Sequence, residues 1–102
     1  MLIEKKDPLA VYCLKLVNGD EIVARIDTSD QDSYTITDPL TVVPSGQGIA
    51  LLPSLFTMKE NEKIQINRMH VMMFSEVDSR MRDHYLKTVT GIQTVSNDKI
   101  IV

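Results

Sequence analysis

Alternating apolar and polar positions predict two β-strands joined by a tight turn near the start of the chain. The side chains alternate between two faces from Leu9 to Val17, and apolar positions alternate again over residues 21–26. Asn18 and Gly19 between these stretches tolerate the positive φ that short hairpin turns require. Residues 27–33, DTSDQDS, contain no strand-forming apolar side chain and predict a loop.

The next apolar stretches predict further strands. A third strand is expected from Tyr34 to Val42, with a bulge or a sheet edge at Asp38-Pro39, because proline cannot donate a hydrogen bond to a ladder. Residues 44–48, PSGQG, predict a turn. The following stretch, Ile49 to Met58, is strongly apolar, and such a segment left bare on a monomer promotes aggregation. We therefore expect something to cover it.

A change in hydrophobic parity predicts a second tight turn. Residues 59–63, KENEK, form a charged turn, and the apolar positions of residues 64–66 share one parity. The apolar positions that follow have the other parity, and a strand that ran straight through would turn them to the wrong face. We therefore place a turn at Asn67-Arg68. The segment 69–74, MHVMMF, is apolar on both faces, which is typical of a strand covered on both sides.

One amphipathic helix is predicted over residues 77–90. Ser75 and Asp78 have the spacing of a capping box, with Asp in place of the usual Glu. Gly91 is a natural stop. The apolar stripe at helical spacing consists of Met81, Tyr85, Leu86 and Val89.

Five strands followed by one helix predict a mainly β chain. Its 102 residues suffice for one core, so we expect a single domain over residues 1–102. Residues 91–102 are predicted to be a C-terminal tail with short strands around Asn97-Asp98.

The composition of the chain narrows the range of functions and cellular locations that we expect. A net charge of −3 argues against a surface that neutralises many phosphates of duplex DNA, although it allows a local basic site. The single cysteine, Cys13, cannot form an internal disulfide and is either a small buried residue or a reactive thiol. No apolar run approaches the roughly 20 residues of a membrane span, and the first residues lack the apolar middle of a signal peptide. We therefore expect an intracellular, cytoplasmic protein without a membrane partner.

The chain carries no catalytic, cofactor or metal motif that we recognise. His70 and His84 lie fourteen residues apart without a ligand-spaced partner, so His70 is interpreted as a core or interface residue. The acidic residues of the 27–33 loop lack the Gly and closing Glu of a calcium loop. Residues 45–48, SGQG, lack the Lys of a phosphate loop. We expect no enzyme activity, no cofactor and no metal. Met69, Met72 and Met73 form either an adaptable binding surface or filler of a core or subunit interface.

Two segments resemble the motifs of the Sm/LSm family. Residues 14–30, LKLVNGDEIVARIDTSD, resemble its first motif, with Ala24 where the family usually has Gly and with Asp30 in the following loop. Residues 66–74, INRMHVMMF, are similar in layout to its second motif, with Asn67-Arg68 in place of the Arg-Gly turn. The whole chain resembles divergent Sm-like proteins of marine phage and ocean-metagenome origin. It departs from the family at Ser33-Tyr34, which replace Met-Asn.

The resemblance implies both a fold and a function. The implied fold is a small, strongly bent, five-stranded antiparallel barrel of the SH3-like type over residues 9–76, followed by the helix. The implied function is non-catalytic binding of single-stranded RNA or DNA at the pore of a homo-oligomeric ring, in a phage-encoded protein acting in the host cytoplasm. The nucleic-acid-binding residues would be Asp30, Ser33, Tyr34, Asn67 and Arg68.

The side chains themselves leave alternatives open. Readers of single-stranded RNA stack bases on an aromatic or guanidinium plane, which Tyr34 and Arg68 can offer, and Asn67 adds donors and acceptors. Alternatively, Tyr34 packs inward and Arg68 is a solvated turn charge. The acidic loop would repel phosphates unless its carboxylates are engaged in the turn. We expect Ile49–Met58 and Met69–Phe74 to pair across subunits. The alternative function is a protein-interaction or phage-assembly module that binds no nucleic acid.

Overall fold

The computed structural model describes residues 10–59 and 62–100. The predicted strand start at Leu9, residues 60–61 of the charged turn and the end of the predicted tail lie outside the described residues. The strands are β1 (Tyr12–Leu16), β2 (Glu21–Ser29), β3 (Ser33–Ser45), β4 (Gly48–Pro53), β5 (Lys63–Asn67) and β6 (Val71–Glu76). A 3-10 turn, Arg68–His70, joins β5 to β6, and helix α1 (Ser79–Ile100) follows.

The strands form one antiparallel sheet in the order β4-β3-β2-β1-β6. The long strand β3 has two partners on the same side. Residues 33–37 pair with β5, and residues 40–45 pair with β4. The mainly β prediction with one C-terminal helix is confirmed. The closed five-stranded barrel is not found, because the described sheet has six strands and remains open.

The bend in β3 lies at the predicted position. Asp38 adopts φ 49°, a left-handed conformation that is uncommon for a residue with a side chain, and Pro39 follows it. Opposite them, the β2–β3 register shifts between Val23 and Arg25, so two residues of β3 face one residue of β2. This is the predicted bulge. It separates the half of β3 that pairs with β5 from the half that pairs with β4.

The first hairpin and the first loop differ in detail from the predictions. Asn18-Gly19 lies in the turn, but the turn has three residues between the bonded pair Leu16 and Asp20, and of its residues only Gly19, at φ 98°, has positive φ. The loop is shorter than predicted. Residues 27–29 continue β2, because their backbone pairs with the start of β3.

Helix α1 is longer than predicted and starts with a different cap. The Oδ1 atom of Asp78 accepts a 2.9 Å hydrogen bond from the Met81 amide, while Ser75 lies in β6, so the predicted Ser75–Asp78 box does not form. The helix continues past Gly91 to Ile100. The predicted stop and the strands around Asn97-Asp98 are therefore wrong. A glycine inside a helix costs only about 1 kcal/mol relative to alanine, which neighbouring turns can offset.

The sheet has a core on each face. The helix-side core consists of Val11, Val23, Leu40, Leu51, Tyr85 and Val89. The inner core consists of Leu14, Ile22, Ala24, Ile26, Tyr34 and Ile36, with further side chains from β5 and β6 packed against it. Since β5 and β6 lie at opposite ends of the sheet, the sheet is curled around the inner core. The predicted helix stripe is confirmed by the burial of Tyr85 and Val89.

Cys13 packs at the border of the helix-side core. Partial burial raises the pKa of its thiol, and the charge of Glu21 acts in the same direction. A thiol with a raised pKa has a smaller fraction in the reactive thiolate form at neutral pH. Of the two alternatives for Cys13, the small packed residue fits the structure.

Candidate nucleic-acid interface

Two loops meet at one end of the curled sheet and bring the five predicted site residues together. They meet because the first residue of β3, Ser33, pairs with the last residue of β5, Asn67. Two hydrogen bonds then join the loops. The Arg68 amide donates to the Asp32 carbonyl at 2.9 Å, and the Arg68 Nη1 atom donates to the Asp30 carbonyl. We call residues 30–33 and 67–70 together the joined loops.

The Asp30 carboxylate is engaged within its own loop. Its Oδ1 atom accepts hydrogen bonds of 2.8 Å from the amides of Asp32 and Ser33, and the Ser33 hydroxyl lies 3.4 Å away. The bonds from the Asp32 and Ser33 amides hold the pKa of Asp30 below its ordinary value, and the Arg68 charge adds to this effect. Asp30 therefore organises the loop rather than presenting an unpaired carboxylate. Asp27 is likewise paired, with Lys63 at 2.7 Å.

Asn67 caps the turn between β5 and β6. Its side-chain Oδ1 atom accepts a 2.9 Å hydrogen bond from the Met69 amide, which fixes the orientation of the side-chain amide. The residue is exposed. Because the side-chain oxygen already accepts a hydrogen bond within the turn, the group of Asn67 that can bind a ligand is the amide nitrogen with its two N–H donors.

Arg68 lies over an aromatic ring. Its guanidinium carbon is 4.9 Å from the centroid of the Tyr34 ring, a cation–π distance. Tyr34 is only 5% exposed, so its ring packs inward, and of the two alternatives for Tyr34 this is the one found. The ring of Tyr34 supports Arg68 and is not an open stacking surface. Arg68 itself is partly exposed at the turn.

Two further aromatic residues continue the stack, and the sequence alone did not reveal their part in the site. Phe74 stacks on Tyr34 with centroids 5.5 Å apart, and Tyr12 stacks on Phe74 at 5.3 Å. We call Tyr12, Phe74 and Tyr34 the aromatic column. Its members come from β1, β6 and β3, so the only sequence signal was three aromatic residues on strands. Their contact follows from the curl of the sheet.

Two strand edges carry exposed apolar side chains. The β4 edge consists of Ile49 and Leu52 with Leu55 and Phe56 just beyond the strand. The β6 edge consists of Met72 and Met73 with Met69 and Val17 at the adjoining turns. Phe56 is 79% exposed and Met69 is 81% exposed. Within the described residues β4 pairs only with β3, and β6 pairs only with β1. Met69, Met72 and Met73 are therefore not core residues. Of the segment Ile49–Met58, the described part of the chain buries Leu51 but leaves Ile49, Leu52, Leu55 and Phe56 exposed.

No protein-family model matches the sequence, and no curated protein matches it. Among residues 10–59 and 62–91, no three His, Cys, Asp or Glu side chains are placed to hold a metal ion. The described portion contains no helix with the length and hydropathy needed to cross a membrane. What bears on function is the geometry of the joined loops and the two apolar edges.

Proposed function

We propose that this protein binds single-stranded nucleic acid without catalysis, as a homo-oligomeric ring of the Sm-like type, with RNA as the preferred ligand. The observation that carries the proposal is the position of Arg68. Its guanidinium is supported by a buried aromatic ring at the point where the two loops are joined. The partly exposed planar cation can stack on a base and attract a phosphate.

The surroundings of Arg68 support binding of a base. Asn67 precedes it and presents amide donors that can bond to the edge of a base. The Asp30 carboxylate is held by loop amides, which weakens the objection that acidic residues would repel the ligand. Tyr34 acts below Arg68, and Ser33 helps to close the loop.

A ring would multiply a weak site. Stacking is worth roughly 1–3 kcal/mol per base, which is too little for useful affinity at one subunit. The β4 and β6 edges differ in sequence, so pairing the β4 edge of one copy with the β6 edge of the next is a head-to-tail contact, and such contacts can close into a ring. Pairing would also cover the exposed apolar side chains on both edges.

The strand arrangement supports the Sm-like part of the proposal. β4 and β5 lie along the same side of β3 and are separated by residues 54–62. If they are regarded as one interrupted strand, the sheet has five strands, as the resemblance implies. Side chains of both β5 and β6 pack on the inner core, so the two ends of the sheet approach each other as in a small barrel.

The test is a titration with fluorescently labelled oligouridine, oligoadenine and the matching DNA. Arg68→Ala should weaken binding at least tenfold, because it removes both the plane and the charge. Arg80→Ala is the matched control, since Arg80 is an exposed arginine on α1 and not part of the joined loops. Equal effects of the two substitutions, or no binding by the unmodified protein, would contradict the proposal.

A protein-interaction or assembly role is the second candidate. The exposure of Phe56 and Met69 favours it, because aromatic and methionine side chains are enriched at protein interfaces. In this case the oligomer would form normally and would bind no oligonucleotide, whereas a defined partner protein would bind to it.

A further inference from the structure

The aromatic column connects strands that are not neighbours. In the sheet, β6 is separated from β3 by β1 and β2. Nevertheless the ring of Phe74 in β6 lies 5.5 Å from the ring of Tyr34 in β3, at an angle of 18°. Phe74 therefore spans the curl of the sheet, where no backbone ladder between β6 and β3 is present in the described residues.

We infer that Phe74 is a positioning residue for the joined loops: it holds the ring of Tyr34, which in turn holds the guanidinium of Arg68. The inference deepens the proposed function and rests on it, because the site that Phe74 positions is the proposed nucleic-acid site. Phe74 itself touches neither loop in the contacts that define the site.

The geometry explains why an aromatic residue is needed at position 74. Tyr34 is almost fully buried; the Phe74 ring stacks on it at 18°, and the Arg68 guanidinium carbon lies 4.9 Å from its centroid. A flat ring at position 74 restrains the tilt of Tyr34, whereas a flexible aliphatic side chain of similar volume does not. Tyr12 restrains Phe74 in the same way, at 5.3 Å and 23°. Arg68 would keep its bond to the Asp30 carbonyl but lose a fixed plane.

The position of Phe74 also connects the site to the β6 edge. Phe74 belongs to the strand whose outer side we propose to pair with another copy, and within the described chain the backbone of β6 pairs only with β1. Pairing at this edge restrains β6, and with it the aromatic column and Arg68. Because coupling between two binding events is reciprocal, a ligand on Arg68 should also strengthen subunit pairing.

The first test is a double-mutant cycle on oligonucleotide affinity. The variants are Phe74→Leu, Arg68→Lys, which keeps the charge but removes the plane, and the double variant. Phe74→Leu should weaken binding about fivefold in the natural background and have no further effect in the Arg68→Lys background. Phe74→Tyr, which keeps a ring, should bind normally. If Phe74→Leu does not fold, Phe74→Met takes its place.

A merely structural role would give a different pattern. In that case Phe74→Leu would weaken binding by the same factor in both backgrounds, and this result would overturn the inference. An absence of any effect of Phe74→Leu would overturn it as well. Val89→Ala, which removes two methyl groups from the helix-side core, is the control for a general loss of stability and should leave affinity unchanged.

The second test measures self-association by sedimentation with and without uridine and adenosine monophosphates. A mononucleotide cannot tie several subunits together, so a stronger association reports coupling through the protein. The dissociation constant of the oligomer should fall several-fold, and Phe74→Leu should abolish this change. Binding without a change in association overturns the coupling and leaves the proposed function standing. No nucleotide or oligonucleotide binding overturns both.

Discussion

The hydroxyl of Tyr85 donates a 2.7 Å hydrogen bond to the main-chain carbonyl of Asp38. This bond joins the buried face of α1 to the bend of β3, where the strand changes partner. The Asp38 carboxylate is also paired with Arg25 at 2.8 Å. The helix thereby stabilises the bend at which β3 changes its partner from β5 to β4.

Removal of this hydroxyl should destabilise the fold. Tyr85→Phe keeps the buried ring but leaves the Asp38 carbonyl without its donor, so we expect the free energy of unfolding to fall by about 1 kcal/mol. Urea denaturation measures the change, and an unaltered dependence on urea concentration would show that the folded state is otherwise intact. A stability equal to that of the unmodified protein would show that the bond contributes nothing to the bend.

The same residue predicts a loss of stability in alkali. Burial raises the pKa of the Tyr85 phenol above its ordinary value, and the charge of Asp38 raises it further. The neutral phenol is thus favoured by folding, so its contribution is fully present below about pH 10 and is lost as the pH rises towards the folded-state pKa. Tyr85→Phe should show a smaller loss of stability above pH 10 than the unmodified protein. Identical pH profiles would contradict this assignment.

A substitution of Gly91 tests whether helix α1 continues past this position. An added Cβ at this position meets no atom within 4 Å, and the backbone is helical on both sides. Gly91→Ala should therefore stabilise the protein by about 0.5–1 kcal/mol, through helix propensity and a less flexible unfolded chain. Thermal unfolding measures the shift. A destabilising effect would mean that Gly91 ends the helix in a left-handed conformation, as the sequence suggested.

Asp30 should control the order of its loop with a defined pH dependence. Its carboxylate is favoured by folding, because amide bonds lower its pKa, so the loop order it provides is present above about pH 4 and is lost as the pH falls below this value. In NMR spectra the amide signals of Asp32 and Ser33 should titrate with a midpoint below the ordinary value for aspartate. Asp30→Asn, which retains an acceptor oxygen, should bind oligonucleotide better than Asp30→Ala. The reverse order would show that the carboxylate does not organise the site.

A charge on the β6 edge should prevent assembly. Lysine on an edge strand blocks pairing with another strand, and Met72 is 61% exposed at this edge. Met72→Lys should therefore shift the oligomer to monomers without unfolding them. His84→Lys adds the same group on the exposed side of α1 and should leave the oligomer intact. An unchanged mass for Met72→Lys would place the subunit contact elsewhere.

The sequence predicted those features that depend on local chemistry. Turn residues predict the hairpin at Asn18-Gly19, and the proline predicts the bulge at Asp38-Pro39. The change in hydrophobic parity predicts the turn at Asn67-Arg68. The stripe on α1 follows from helical spacing. Four of the five site residues, Asp30, Ser33, Asn67 and Arg68, fall in the joined loops, and Tyr34 is the next residue of β3. Their binding role stays a prediction.

Features that depend on contacts across the sheet could not be read from the chain. The inward position of Tyr34 follows from its stacking on Phe74, forty residues away. The sheet has six strands because the two halves of β3 pair with different strands, β5 and β4. Local propensity predicts a stop at Gly91, whereas the helix continues through it. Each of these outcomes is decided by tertiary packing rather than by the local pattern.

The most direct test of the central claim is the mass of the native particle by light scattering, coupled to size-exclusion chromatography. One chain has a mass of 11.5 kDa. The proposal of a ring predicts one discrete species that contains a fixed number of several chains. This species should persist on dilution. A single species of one chain at every concentration would contradict it, because the joined loops would then act alone and both apolar edges would be without a partner copy.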